Sequence, residues 1–328
     1  MDTGKVIFAD HPHASLPPGS LTKMVTALVA ADWLPAQTLV PVTPLAANVT
    51  PDKVGMKPGQ MWPLSDTLQA LLVFSANDAA YALAQRVSGS LAQFSVSMQE
   101  AAAQLGMTDH PILRDPAGLD GTEGFEGGNR MTPWDVAIAA RALMANPELA
   151  AMVGMKQLDF TGPGHVVYGL DNQNLYFLDT YPGAIGIKTG LTDAAGFCVA
   201  EEAERGGRHM LAIVLNGSSS YQTAADLLNR GFATPVQAEP LDAATLPPIV
   251  EPEPPAALPA KSTNNNLVSP QPITADAKGL VPGSHQSIAP SAAMAVGAAA
   301  VPIAAGVLVV GLAMRRRKRP ASTGPSPP

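Results

Sequence analysis

The 328-residue chain carries 20 Lys and Arg against 27 Asp and Glu, with 46% hydrophobic residues and a single cysteine. Five of the basic residues stand together at Arg315–Arg319 in a tail without acids, which leaves fifteen basic against 27 acidic residues elsewhere, a net of −12. So acidic a surface excludes nucleic acid and anionic lipid as the main partner, and one cysteine excludes an internal disulfide.

In chain order, Val6-Ile7-Phe8-Ala9 reads as a short strand. Asp2-Thr3-Gly4-Lys5 before it reads as a hairpin turn. A hairpin needs a strand ahead of its turn and none is present, so the expectation is a natural start upstream of Met1. Pro17-Pro18-Gly19 cannot continue regular structure. Leu21 to Trp33 is helix-friendly and apolar nearly all round, which predicts a central buried helix closed by Pro35. Ser20 then sits at its N-terminus, with Lys23 one turn on along the same face. Trp33 to Trp62 is broken by prolines into loops and short strands. Ser65 is expected to cap a helix over Asp66–Phe74. The polar triplet Ser75-Ala76-Asn77 interrupts it, and Asp78–Val87 resumes as a second helix. A third runs over Leu91–Leu105 and stops at Gly106.

Asp115–Asn129 is a Gly-rich loop, and its acids Asp115, Asp120, Glu123 and Glu126 read as solvated. Thr132-Pro133-Trp134-Asp135 is a helix start, with Thr as cap, Pro at the first position and an acid reaching back. That helix ends near Asn146-Pro147. Residues 156–180 read as two short strands and a turn. Ile185–Gly190 leads into a hairpin formed by Phe197–Ala203 and Arg208–Leu215, and Gln222–Phe232 closes the domain as a helix. Cys198, in an apolar run, reads as a small buried hydrophobe. Strands cluster at both ends of 1–234 and helices between them. The fold class expected is therefore α+β: an antiparallel sheet flanked by helices, with an inserted helical subdomain.

Residues 235–290, rich in Pro, Ala, Ser and Asn, read as a disordered spacer. Met294–Met314, within the uncharged run 291–314, spans 21 residues, about 31 Å as a helix, close to the thickness of a bilayer core. The basic tail 315–328 follows it. This predicts a single membrane anchor with the tail cytoplasmic and the preceding domain extracytoplasmic. An exported domain requires a signal peptide, which Met1–Gly4 is not.

Three short motifs carry chemistry: Ser20-Leu21-Thr22-Lys23, Ser75-Ala76-Asn77 and Lys188-Thr189-Gly190. A hydroxyl becomes a nucleophile when a neighbouring amine of lowered pKa takes its proton. Singly, each motif is ordinary: Ser20 a cap, Lys23 a solvated lysine, Ser75 and Asn77 caps of the next helix, Lys188 an edge charge. Together and in this order they form the S-x-x-K, S-x-N and K-T-G set of penicillin-binding proteins and serine β-lactamases. His11 and His13 share an H-x-H spacing, but no acid or cysteine completes a ligand set, so no metal is expected.

The flanks narrow the resemblance. Pro18–Met24, Ser75–Ala79, Asp115-Pro116-Ala117-Gly118-Leu119-Asp120 and Tyr181–Gly190 resemble the low-molecular-mass D-alanyl-D-alanine carboxypeptidases over about residues 2–234. The resemblance implies a β-lactamase-like transpeptidase fold and a cofactor-free serine peptidase. It would cut terminal D-alanine from peptidoglycan stem peptides and be acylated by β-lactams. It implies Ser20 as nucleophile, Lys23 as general base and Ser75 as proton relay to the leaving amine. Asn77 would position the substrate, and Lys188 and Thr189 would hold its carboxylate. Gly190 would allow close approach, and the amides of Ser20 and Leu191 would form the oxyanion hole. The chain departs from many relatives in having no arginine over Asn216–Thr223, and Arg230 is expected to face away. An endopeptidase would use the same site. A β-lactamase would need a glutamate such as Glu123 or Glu126, whose surroundings do not resemble that loop. An inactive peptidoglycan-binding scaffold is opposed by three intact motifs.

Overall fold

The computed structural model describes residues 3–121, 128–238, 244–250, 252–254 and 306–311. The chain opens with β1 (Lys5–Asp10) and reaches α1 (Lys23–Trp33) through a 3₁₀ turn over Gly19–Thr22. There follow β2 (Leu39–Pro41), α2 (Pro44–Ala47), β3 (Met61–Pro63), α3 (Leu64–Leu72), α4 (Asn77–Ser88), α5 (Leu91–Gln104), α6 (Pro133–Ala145) and α7 (Pro147–Val153). The second half holds β4 (Gln157–Gly162), β5 (Val166–Asp171), α8 (Leu175–Thr180), β6 (Ala184–Thr192), β7 (Gly196–Arg205), β8 (Arg208–Gly217), α9 (Ser220–Ala233) and β9 (Gly306–Gly311).

The five-stranded sheet runs β1-β9-β8-β7-β6, with every neighbouring pair antiparallel. Its first and last-but-one strands in sequence come from opposite ends of the 1–234 region, as the α+β reading requires. Two apolar cores separate its faces. One packs Phe177, Tyr181, Ala224 and Leu228 of α8 and α9 against Val199, Met210, Ala212 and Val214. The other joins the opposite face to the helical subdomain around α1, whose residues from Lys23 to Ala30 are all buried. A helix buried all round needs apolar residues all round, which is why its pattern shows no polar stripe.

Caps set several boundaries. Ser90 Oγ accepts from Gln93 N at 3.2 Å and Thr132 Oγ1 from Asp135 N at 3.1 Å, each cap stabilising by about 1 kcal/mol. Ser65 does not cap: α3 starts two residues earlier than expected, at Leu64, led by Pro63, because Pro63 already fixes the φ that a first helical turn needs. Asp135 lies back against the Thr132 side chain and backbone, but neither carboxylate oxygen completes a well-aligned hydrogen bond there. Asn146 ends α6 and caps a further helix, α7, accepting from Glu148 N and Leu149 N.

The C-terminal third departs from its sequence reading. The globular unit continues beyond 234: Leu246 is buried, its N donates to Gly4 O, and Arg141 Nη1 donates to Pro247 O at 2.7 Å. Residues 255–290, the remainder of the expected spacer, lie outside the described residues, as does the basic tail. Within the expected membrane helix, residues 306–311 form β9, and the rest of that run lies outside the described residues. β9 occupies the position beside β1 where a preceding strand was expected, pairing with β1 on one side and β8 on the other. The physical reason is edge satisfaction: β1 and β8 would otherwise each present an unpaired row of amides and carbonyls. Val307-Leu308-Val309-Val310 is rich in the β-branched residues that fit a sheet.

Candidate active site

The 3₁₀ turn, α4 and β6 converge on one groove lined by Ser20, Ser75, Asn77, Leu119, Asp120, Leu191 and Thr192. Lys23 lies directly beneath it, at 0% exposure. Its Nζ is 2.8 Å from Ser20 Oγ, 2.7 Å from Asn77 Oδ1 and 2.8 Å from Ala117 O. The last two are acceptors only. A neutral amine has two N–H donors and one lone pair. Nζ is placed to donate to all three oxygens; as a neutral amine it would keep two hydrogens for the carbonyls and turn its lone pair on the Ser20 hydroxyl. The electrostatics agree: burial pushes Lys23 well below an ordinary lysine and the charge of Lys188 pushes it further, outweighing Asp115, Asp52 and Asp78.

Each partner of Lys23 is itself held. Asn77 Nδ2 donates to Thr50 O at 2.8 Å, and its backbone N donates to Asp52 O at 2.8 Å. Asp78 accepts from the amides of Val54, Gly55, Met56 and Ala79, so it clamps the 50–56 loop to the start of α4. The cap readings of the triplet fail: α4 begins at Asn77, and neither Ser75 nor Asn77 caps it. Ser75 sits instead at φ 66°, a left-handed conformation that costs a non-glycine residue about 1–3 kcal/mol and gathers at functional sites. It lines the groove, and its hydroxyl bonds neither lysine.

β6 forms the opposite wall. A Cβ on Gly190 would lie 2.9 Å from Ser20 N and 3.3 Å from Pro18 O, so only glycine permits this approach. Leu191, next along, is 60% exposed in the groove. Lys188 is 2% exposed, donates to Thr189 O at 2.9 Å, and is held down to about 7 by burial, against the pull of Glu201 and Asp52. Thr189 is half-buried. Glu201, beside this strand, is pushed up by burial and accepts from Asn174 Nδ2 at 2.7 Å.

The solvated reading of the 115–129 acids is overturned for Asp115, while Asp120 is exposed but hydrogen-bonded. Asp115 is buried: Oδ1 accepts from the amides of Ala117, Gly118 and Leu119, and Oδ2 accepts from Tyr81 Oη. It folds the loop that aims Ala117 O at Lys23. Gly118 seals the loop against the nucleophile's turn, since a Cβ there would fall 2.0 Å from Gly19 O. Asp120 bonds the β6–β7 turn, through the Thr192 hydroxyl and Ala194 N. Glu123 and Glu126 lie outside the described residues. The signal for Asp115 is Asp-Pro-x-Gly, a carboxylate set just ahead of a turn whose amides it can bind. His11 and His13 pair with Asp10 and Asp109. Arg230 stacks on Phe8, away from the groove. Cys198, on β7 opposite Gly190, is buried, and burial pushes its thiol up to about 11.

A serine whose hydroxyl faces a buried lysine of lowered pKa, with a glycine-lined strand against its amide, defines a serine acyl-transferring hydrolase. The family of D-alanyl-D-alanine carboxypeptidases, peptidase S11, matches residues 1–219, and the chain belongs to it. It is 34% identical over 244 residues to the D-alanyl-D-alanine carboxypeptidase DacB2 of Mycobacterium tuberculosis, covering 73% of this chain and 81% of that one. With DacF of Bacillus subtilis the identity is 27%, covering 69% of this chain and 58% of the relative. A solved D-alanyl-D-alanine carboxypeptidase from M. tuberculosis superposes with a TM-score of 0.66 at 32% identity, over 72% of this chain and 89% of that one. Penicillin binding protein 6B of Escherichia coli gives 0.60 at 26%, over 71% and 78%.

Proposed function

We propose that the chain is a serine D-alanyl-D-alanine carboxypeptidase that removes the terminal D-alanine of peptidoglycan stem peptides and is acylated by β-lactams. The observation that carries this is buried Lys23, pushed well below an ordinary lysine, with its Nζ 2.8 Å from Ser20 Oγ. Ser20 Oγ attacks the carbonyl between the two D-alanines as Lys23 takes its proton. The oxyanion is received by the amides of Ser20 and Leu191, preorganised donors of a kind that contribute about 10²–10³ in rate each. Ser75 relays a proton to the departing amine as the C–N bond breaks, and D-alanine leaves. Water then attacks the Ser20 ester, with Lys23 again as base, and releases the shortened peptide. Asn77 positions the substrate backbone, while Lys188 and Thr189 hold the terminal carboxylate. No cofactor or metal enters any step.

The substrate lies outside the cell membrane, and the apolar run 294–314 with its basic flank supports an anchor there. No helix among the described residues is long and apolar enough to cross a membrane, and β9 and an anchor are competing uses of the same run. Resistance of the full chain to alkaline extraction from membranes supports the anchor; release into the supernatant supports the strand. The activity is tested by following D-alanine release from a stem pentapeptide. Wild type is expected to release it and Ser20→Ala to be inactive; release by Ser20→Ala would refute the assignment.

A further inference from the structure

The reaction leaves Asp120 without a role, yet this exposed side chain spans two walls of the groove. One carboxylate oxygen accepts from the Thr192 hydroxyl, and the other accepts from Ala194 N at 2.9 Å. Thr192 Oγ1 in turn accepts from Ala195 N at 3.0 Å, which fixes its hydrogen toward Asp120. Asp120 ends the segment that begins at buried Asp115, contacts Lys23 through Ala117 O and packs Gly118 under Gly19. Thr192–Ala195 is the turn that follows Gly190 and Leu191. β6 is an edge strand of the sheet, so no further strand steadies its end at Thr192.

We infer that Asp120 is a positioning residue, tying the wall that carries the Lys23 contact to the turn directly after the Leu191 amide. The inference rests on the proposed acylation of Ser20. Its physical basis is that oxyanion donors act through preorganisation, and a misplacement of about 1 Å can cost about 10²-fold in rate. An exposed polar tie adds little to global stability. Rate and stability should therefore separate when it is removed.

The test uses the full chain with Asp120→Ala, Asp120→Asn, Thr192→Val and the Asp120→Ala/Thr192→Val double variant. The readouts are the acylation rate of Ser20 by a fluorescent penicillin, thermal stability, and amide hydrogen exchange over 191–195. Asp120→Ala should slow acylation about tenfold or more, with nearly unchanged melting and faster exchange at Ala194. kcat for the pentapeptide should fall more than KM rises. Asp120→Asn, which keeps one acceptor oxygen, should recover part of the rate. The double variant should be no slower than the worse single variant, because both cut one tie. Wild-type acylation by Asp120→Ala, unchanged exchange over 191–195, or additive losses would each overturn the proposal. Failure of the wild-type chain to acylate at Ser20 would overturn the reading of the site and the proposal with it. Hydrogen exchange reads the tie without turnover and so tells the two failures apart.

Discussion

Asp135 offers a stability test that the active site does not confound. It lies in the first turn of α6 at 0% exposure, with neither carboxylate oxygen hydrogen-bonded. Burial, then the charge of Asp109, raises it from 3.8 to about 6, against a partial counter-pull from Thr132. A raised carboxylate pKa means the native state binds the proton more tightly than the unfolded chain. The associated stability is complete below about 4 and is lost as pH rises through about 6. A shift of about two units at about 1.4 kcal/mol each sets a ceiling of about 3 kcal/mol. Asp135→Asn keeps the size of the neutral acid and cannot ionise. Urea melts at pH 3.5, 6 and 8 should give nearly equal stabilities at the lowest pH, with the variant ahead by up to about 3 kcal/mol at the highest. Lys23 and Lys188, both depressed, give the opposite slope, but they are common to both proteins and cancel in the difference. A pH-independent difference, or a variant less stable than wild type at pH 8, would refute the reasoning.

Gly190→Ala places a methyl 2.9 Å from Ser20 N, so β6 must retreat from the nucleophile. kcat/KM for the pentapeptide should drop about 10²-fold while circular dichroism stays native. Lys188, at about 7 in the free protein, must be charged to hold a carboxylate. kcat/KM should therefore decline as pH rises above about 7, and Lys188→Arg should move that limb upward. Cys198, buried with its thiol raised to about 11, should resist iodoacetamide at pH 8 when folded and react in urea.

The three motifs that meet at the candidate site were legible because each is local. Ser20 and Lys23 are neighbours by helical geometry alone, Ser75 and Asn77 share one tight break, and the Lys188-Thr189-Gly190 run fits an edge strand. What was not legible is long-range. Asp115 resembles any loop acid until Tyr81 and three amides close around it, and Asp120 acts on a turn 72 residues away. Residues 306–311 illustrate the limit from the other side. An apolar, β-branched run fits a bilayer or a sheet equally well by composition, and only the neighbouring edges of β1 and β8 distinguish the two.

The central claim is that Ser20 is the nucleophile and Lys23 its base. Its most direct test is intact-mass analysis of the full chain after incubation with a penicillin, with the adduct mapped by peptide sequencing. The account predicts one acyl group, on Ser20, in wild type, none in Ser20→Ala and strongly slowed addition in Lys23→Met. No adduct on the folded chain, or an adduct on another residue, would contradict it.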